Sequence, residues 1–140
     1  MIFAREGNVL ALALYDGESV FEGILRACGE AHVEAAMVVS GIGMLRDAEI
    51  GFWDGSKYLI EKYREAAELV SLHGSVAVDE GKLSAHLHVS LSGRDHSCFG
   101  GHLVNACVNN VNEIAMIDFG RSKFSRRPDQ KSGLRLLNIG

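Results

Sequence analysis

Proline is almost missing from this chain: Pro128 is the single one in 140 residues. No repeat, low-complexity tract or linker-like stretch accompanies it, and 140 residues fit one domain, expected to span 1–140. Cysteine is scarce and odd in number, with Cys28, Cys98 and Cys107 and no CxxC pair. Secreted disulfide scaffolds of this size carry more cysteines, in even numbers, so reduced thiols are expected. Long apolar runs are missing too. The opening MIFAREGNVLALAL is interrupted by Arg5 and Glu6, is too short to span a bilayer, and lacks the basic-then-apolar order of a signal peptide. These three absences together predict a soluble, cytoplasmic protein.

A basic excess is also absent. Fourteen Lys and Arg stand against eighteen Asp and Glu, a formal net charge of -4. Non-specific nucleic-acid binders draw affinity from neutralised phosphates and show the opposite balance. Only the C-terminal part departs from this: Arg121, Lys123, Arg126, Arg127, Lys131 and Arg135 fall within fifteen residues, opposed by Asp129, and allow a local basic patch. The glycine pairs in GIG and GGH match neither a P-loop nor a dinucleotide fingerprint. No Ser-His-Asp or Cys-His order stands out.

What is present is a composition 47% hydrophobic and 23% charged, enough to bury about two-thirds of the unfolded surface at this length. VLALAL (9–14) reads as a buried strand ended by Asp16 and Gly17. From Ser19 the period changes: Val20, Phe21, Ile24, Leu25, Cys28 and Ala31 recur at three- and four-residue steps, one face of a helix. Ser19 and Glu22 form a capping box at its start. VEAAMVVSGIGM, AEIGFWD, KYLIEKY and ELVSLHGSVAV read as strands, with turns at Asp54, Gly55 and at Asp79, Glu80, Gly81. Residues 61–68 (EKYREAAE) have helical propensity, and one or two helical turns there stay open. HLVNACV and EIAMIDF read as two further strands. The predicted fold class is α+β: a mainly antiparallel sheet, curled toward a barrel, with one principal helix packed on it.

The remaining strand, KLSAHLHVSLS (82–92), alternates cleanly. Leu83, Ala85, Leu87, Val89 and Leu91 face one way; Ser84, His86, His88 and Ser90 face the other. His86 and His88 therefore project together, roughly 6–7 Å apart along the backbone. The following GRDHSCFGG is rich in turn formers. If it closes a hairpin, His102 returns beside the same strand and supplies a third imidazole. Three histidines leave a fourth coordination position open, the pattern of catalytic or ligand-binding zinc rather than structural zinc. Imidazole also suits copper, nickel and iron. The alternative is a polar strand face whose rings are merely solvated. His73 is a weaker candidate on a neighbouring strand. His96 reads as a mid-loop residue and His32 as a helix-end residue.

Among the carboxylates, Glu113 is the candidate catalytic residue, as general base or as acceptor for a ligating histidine. Glu49, if buried, needs a partner. Cys98 and Cys107 read as small hydrophobes before soft ligands. Phe52 and Trp53 read as core, or as a subunit contact.

The strings GIGMLRDAEIGFWD, ELVSLHGSVAVDEGKLSAHLHVSLS and GGHLVNACVNNVNEIAMI, in this order and with these gaps, resemble the plant and prokaryote conserved domain over nearly the whole chain. The most specific parts are ELVSLxG, HxHxSLS and GGHL. The resemblance implies an α+β domain that assembles as a homotrimer. It also implies a zinc site at His86, His88 and His102 of the prokaryotic type. The DNA-binding label of that family belongs largely to plant members with AT-hook segments. This sequence has no RGRP core, and SRRP (125–128) echoes it only superficially. The fold is further similar to that of acetolactate decarboxylase, a zinc enzyme, a likeness that transfers no activity. The expected cofactor is thus Zn2+ or another divalent ion, and the expected partner a second and third copy of the chain, with a small-molecule ligand unnamed. DNA binding through the basic C-terminal patch is the alternative.

Overall fold

The computed structural model describes residues 1–140. Nine strands and one helix follow one another as β1 (Ile2–Glu6), β2 (Val9–Tyr15), α1 (Val20–Glu30), β3 (Ala36–Trp53), β4 (Tyr58–Tyr63), β5 (Ala67–Asp79), β6 (Lys82–Ser92), β7 (Cys98–Asp118), β8 (Phe124–Pro128) and β9 (Arg135–Ile139). The expected α+β class, with one helix on a largely antiparallel curled sheet, is what the chain forms. The curl has a definite origin. β3 pairs with both β5 and β7, and β6 pairs with the same two strands. Those four strands close a ring, while β1 and β2 extend the sheet from β7 and β4 extends it from β3.

Two strands are longer than the sequence pattern suggests. The segments read as VEAAMVVSGIGM and AEIGFWD run together as the 18-residue β3, and HLVNACV and EIAMIDF as the 21-residue β7. Both bend without breaking. The β3–β7 register slips near Ser40, between Gly43 and Leu45, and around Glu49. Asn110 at φ 65 and Gly43 at φ 133 supply the special backbone there, the usual device for curving a sheet. A side chain at Gly43 would fall 2.0 Å from the Val111 carbonyl oxygen. Residues 61–68 hold no helix: β4 ends at Tyr63 and β5 begins at Ala67.

The helix is short, and a helix of this length gains its stability from packing rather than propensity. Ser19 caps it, its hydroxyl accepting from the Glu22 N–H at 3.4 Å. Val20, Ile24 and Cys28 are buried as expected, joined by Gly23 and Ala27; Phe21, Leu25 and Ala31 pack at the margin. Beneath them lies the core, in which Leu14, Leu72, Leu87, Leu91, Leu103 and Met116 are fully buried, each leucine contributing about 2 kcal/mol of transfer free energy. The C-terminal hairpin β8–β9 joins the sheet at the end of β5, where Ser125 pairs in parallel with Val78, and packs on the polar side of β5. Phe124 is buried there against Ala35 and Ala77. This last contact brings a basic segment beside the histidines.

Candidate metal centre

The site grows out of two strand registers. β6 and β7 form a hairpin whose last pair is Ser92 with Cys98. The turn between them is built by Asp95, whose carboxylate accepts from the Ser97 N–H at 3.0 Å, and by His96 at φ 64. That hairpin sets His102 directly opposite His88. On the other flank, His73 of β5 stands opposite His88 and Ser75 opposite His86. Directly opposed residues share a face. The period-2 alternation of β6 buries Leu87, Val89 and Leu91 and leaves His86 and His88 on that polar face.

The three imidazoles cluster. Ring centroids are 5.1 Å apart for His86 and His88, 5.0 Å for His86 and His102, and 5.5 Å for His88 and His102. One ring nitrogen from each lies within 4.8 Å of the other two. The His102 Nδ1 is buried and has no hydrogen-bond partner, an arrangement that costs stability unless something binds it. Burial, then the neighbouring His102, Arg126 and His88, pushes the His86 pKa down to about 4. Burial and then His88 also lower that of His102. Both rings are thus held neutral, the form that ligates a metal.

The donor set fits a divalent ion. Zinc–nitrogen bonds of about 2.0–2.1 Å place two ligands no more than about 4 Å apart, which small side-chain rotations reach from these positions. The surroundings hold the rings in place. Tyr58 stacks on His102, centroids 4.5 Å apart and planes 19° from parallel, and Trp53 meets Tyr58 edge-on at 5.1 Å. Gly51, opposite His102 in β3, makes room for that stack, since a Cβ there would fall 2.9 Å from the Tyr58 ring.

The other sequence candidates are spread over the fold. His73 shares the row of His88 and His102 but stays outside their cluster. His96 caps the hairpin turn, and His32, at φ 55, follows the end of α1. Glu113 lies far along β7 from His102, opposite Ala13 of β2 and Ile42 of β3. It is exposed at the rim of an apolar concavity, so within one chain it has no route to the histidines as a base. Glu49 has its partner in Lys62. Cys98 is exposed and Cys107 half-buried, and neither joins the imidazoles.

Sequence reasoning missed Arg126 as part of this site. It sits two residues after the buried Phe124, so strand period turns both toward β5. Its guanidinium donates to the Ser75 hydroxyl at 2.7 Å, one cross-strand position from His86. The period-2 relation to Phe124 is the available signal; the basic run around it reads in the sequence as a local basic patch for DNA instead.

A curled α+β domain carrying three convergent imidazoles on one hairpin defines the class. Comparison with known families places it further: the Plants and Prokaryotes Conserved (PCC) domain model matches residues 1–120, and the chain belongs to that family. A plant- and prokaryote-conserved protein of Pyrococcus horikoshii is 31% identical, with 98% of this chain and 94% of that one covered and a TM-score of 0.86. A metal-containing protein of Archaeoglobus fulgidus is also 31% identical, with 99% of both chains covered and a TM-score of 0.87. A candidate DNA-binding protein of Bacteroides thetaiotaomicron shares the fold at a TM-score of 0.90 and 22% identity, with 98% of this chain and 96% of that one covered. No curated protein matches the chain.

Proposed function

We propose that the chain binds one divalent metal ion, zinc, through His86, His88 and His102, and uses it to bind or transform a small molecule. The observation that carries this reading is the cluster of three imidazoles, one ring nitrogen of each within 4.8 Å of the others, of which His102 also has a buried Nδ1 without a partner. The similarity to a metal-containing Archaeoglobus fulgidus protein supports it. Three protein ligands leave a position for water or substrate, and a zinc ion so held polarises a carbonyl or acidifies a bound water. The chain itself supplies the three imidazoles, the Tyr58 wall and the Arg126 side chain beside them. Elemental analysis tests the reading. Wild-type protein is expected to carry about one zinc per chain by this stoichiometry, and the His86→Ala/His88→Ala protein none; full metal content in the double variant would overturn it.

We further propose that the protein works as a cytoplasmic homotrimer. An apolar concavity of about 600 Å³ lies between β1, β2, β3 and β7, and Ile2 and Ile42 beside it are 62% and 51% exposed. Such a patch is the mark of a surface covered by another chain. No helix is long and apolar enough to cross a membrane.

Duplex DNA binding is the second reading, supported by the candidate DNA-binding proteins that share the fold. The basic C-terminal cluster is its only footing in this chain, and part of that cluster is engaged elsewhere. Arg126 turns inward to Ser75, and Arg135 pairs with Asp79 and Glu80. Retention on duplex DNA at low salt that falls as salt rises would support this reading, and no retention even at low salt would remove it.

A further inference from the structure

Beside His86 lies a cavity of about 440 Å³, within the range of small-molecule sites. β5 and β6 form its floor through Ser75 and His86, Tyr58 closes one side, and the β8–β9 hairpin forms the other. The hairpin is anchored there by the burial of Phe124. Two arginines line the cavity, and they differ. Arg135 is neutralised, since its Nε donates to Asp79 Oδ2 at 2.9 Å and a second N–H donates to Asp79 Oδ1. Arg126 has no carboxylate partner. It is half-buried, its one side-chain hydrogen bond goes to the Ser75 hydroxyl, and burial lowers its pKa with only partial relief from Asp79. A guanidinium carries five N–H donors in a planar fork, so most of this fork has no protein partner at the cavity wall.

We propose that this cavity binds a small monocarboxylate, its carboxylate on Arg126 and a neighbouring oxygen toward the ion held by His86, His88 and His102. The inference rests on the metal reading and adds the substrate class to it. The shape of the free donor selects the class. Asp79 and Arg135 cancel, so Arg126 is the one uncompensated protein cation on the wall, and its planar fork matches the two oxygens of a single carboxylate. Position selects the second donor. Ser75 and His86 are directly opposed, about one cross-strand spacing or roughly 5 Å apart, and Arg126 is held on Ser75, so its fork stands beside a ligand candidate. That span suits a carboxylate with a hydroxyl or carbonyl on the next carbon. Bidentate pairing of guanidinium with carboxylate is the strong form of this contact.

The test uses the full chain loaded with cobalt, whose visible spectrum reports what enters the open metal position. Glycolate, glycolamide and inorganic phosphate are titrated into wild type, Arg126→Met and Arg126→Lys, with metal content measured on every sample. Wild type is expected to bind glycolate about tenfold more tightly than glycolamide, the scale of a charge-assisted hydrogen bond. Arg126→Met is expected to lose that preference while keeping its metal. Arg126→Lys, which retains charge and a donor for Ser75, is expected to keep part of it. A loaded wild type that binds glycolate no better than glycolamide, or an Arg126→Met protein with the preference intact, overturns the carboxylate pocket and leaves the metal reading standing. Tighter, Arg126-dependent binding of phosphate overturns the choice of carboxylate. A wild type that takes up no cobalt overturns the metal reading and this bridging together.

Discussion

The Tyr58 ring lies almost flat on the His102 imidazole, with centroids 4.5 Å apart. The two residues come from β4 and β7, which do not pair with each other; β3 lies between them. The contact therefore ties the third metal-ligand candidate to a part of the sheet that the β6–β7 hairpin does not reach. Stacking of this kind is worth about 1 kcal/mol. Tyr58→Phe keeps the ring and is expected to keep metal affinity within twofold. Tyr58→Ala frees the His102 rotamer and is expected to weaken metal binding roughly fivefold, the same energy expressed as an affinity. Competition against a chromogenic chelator measures both. Equal affinity in the two variants would show that the stack orients nothing.

Metal-free protein carries a pH dependence of definite sign. Its His86 is held near 4 against an ordinary value of 6.5, chiefly by burial. As pH falls below about 6.5, the unfolded chain takes up this proton before the folded one, so the folded state loses stability until about pH 4 and no further from this group. The ring is partly open to solvent, which trims the effect. Urea midpoints of chelator-treated protein between pH 7 and pH 4 are expected to fall for wild type and to fall less for His86→Gln. Parallel curves would remove His86 as the cause.

Much of this site was legible in the chain. Alternation in residues 82–92 put His86 and His88 on one face, and the turn formers after Ser92 returned His102 to it, because side-chain period in a strand is a local property. The unread parts are non-local. β7 looked like two strands because the NNVN stretch carries polar residues and a positive-φ Asn110, features of a turn that here only bend a continuous strand. Glu113 looked near His102 because it read as lying on the next strand, which could fold back beside it; the two in fact share one continuous strand, and the length of β7 separates them. Arg126 joins the site through Phe124, whose burial against Ala35 and Ala77 depends on how the C-terminal hairpin folds back.

Gly74 is a position where a single methyl group is expected to disturb the site. It lies on β5 opposite Leu87, and a Cβ there would stand 2.0 Å from the His86 carbonyl oxygen. The neighbour is backbone and cannot rotate aside. Gly74→Ala must push β5 and β6 apart beside a candidate metal ligand, at a cost of about 3 kcal/mol. Thermal unfolding is expected to shift down, with metal affinity reduced in the fraction that folds. Gly81→Ala, in the following turn with open space around it, serves as the control that perturbs backbone preference alone. Equal metal affinity in the two variants would disconnect the close approach from the site.

The thiols are expected to separate by reactivity. Cys28 is buried under α1, and burial, with Asp118 adding to it, pushes its pKa up to about 11. Cys98, beside the hairpin turn, is exposed. The thiolate is the reacting form, so iodoacetamide at pH 8 is expected to label Cys98 readily and Cys28 only on unfolding. Peptide mass mapping reads the two sites separately. Labelling of Cys28 in folded protein would show that the helix opens over the core.

Assembly and metal binding are expected to be separable, because all three imidazoles come from one chain. The apolar concavity between β1, β2, β3 and β7 lies away from the histidine cluster, with Ile42 prominent beside it at 51% exposure. If that face joins copies of the chain, a charge there is buried without a partner on association, a cost of several kcal/mol per interface. Light scattering on wild type is expected to give three times the chain mass of 15.2 kDa, and Ile42→Asp a smaller species. Metal content of Ile42→Asp is then the informative number. Retention of metal in a dissociated chain places the whole first coordination shell within one subunit, so the neighbouring copies serve to cover apolar surface. Loss of metal on dissociation, with the fold intact by circular dichroism, would instead mean that a neighbouring copy holds part of the site. A wild type with the mass of one chain would leave the exposed Ile2 and Ile42 face to a different partner.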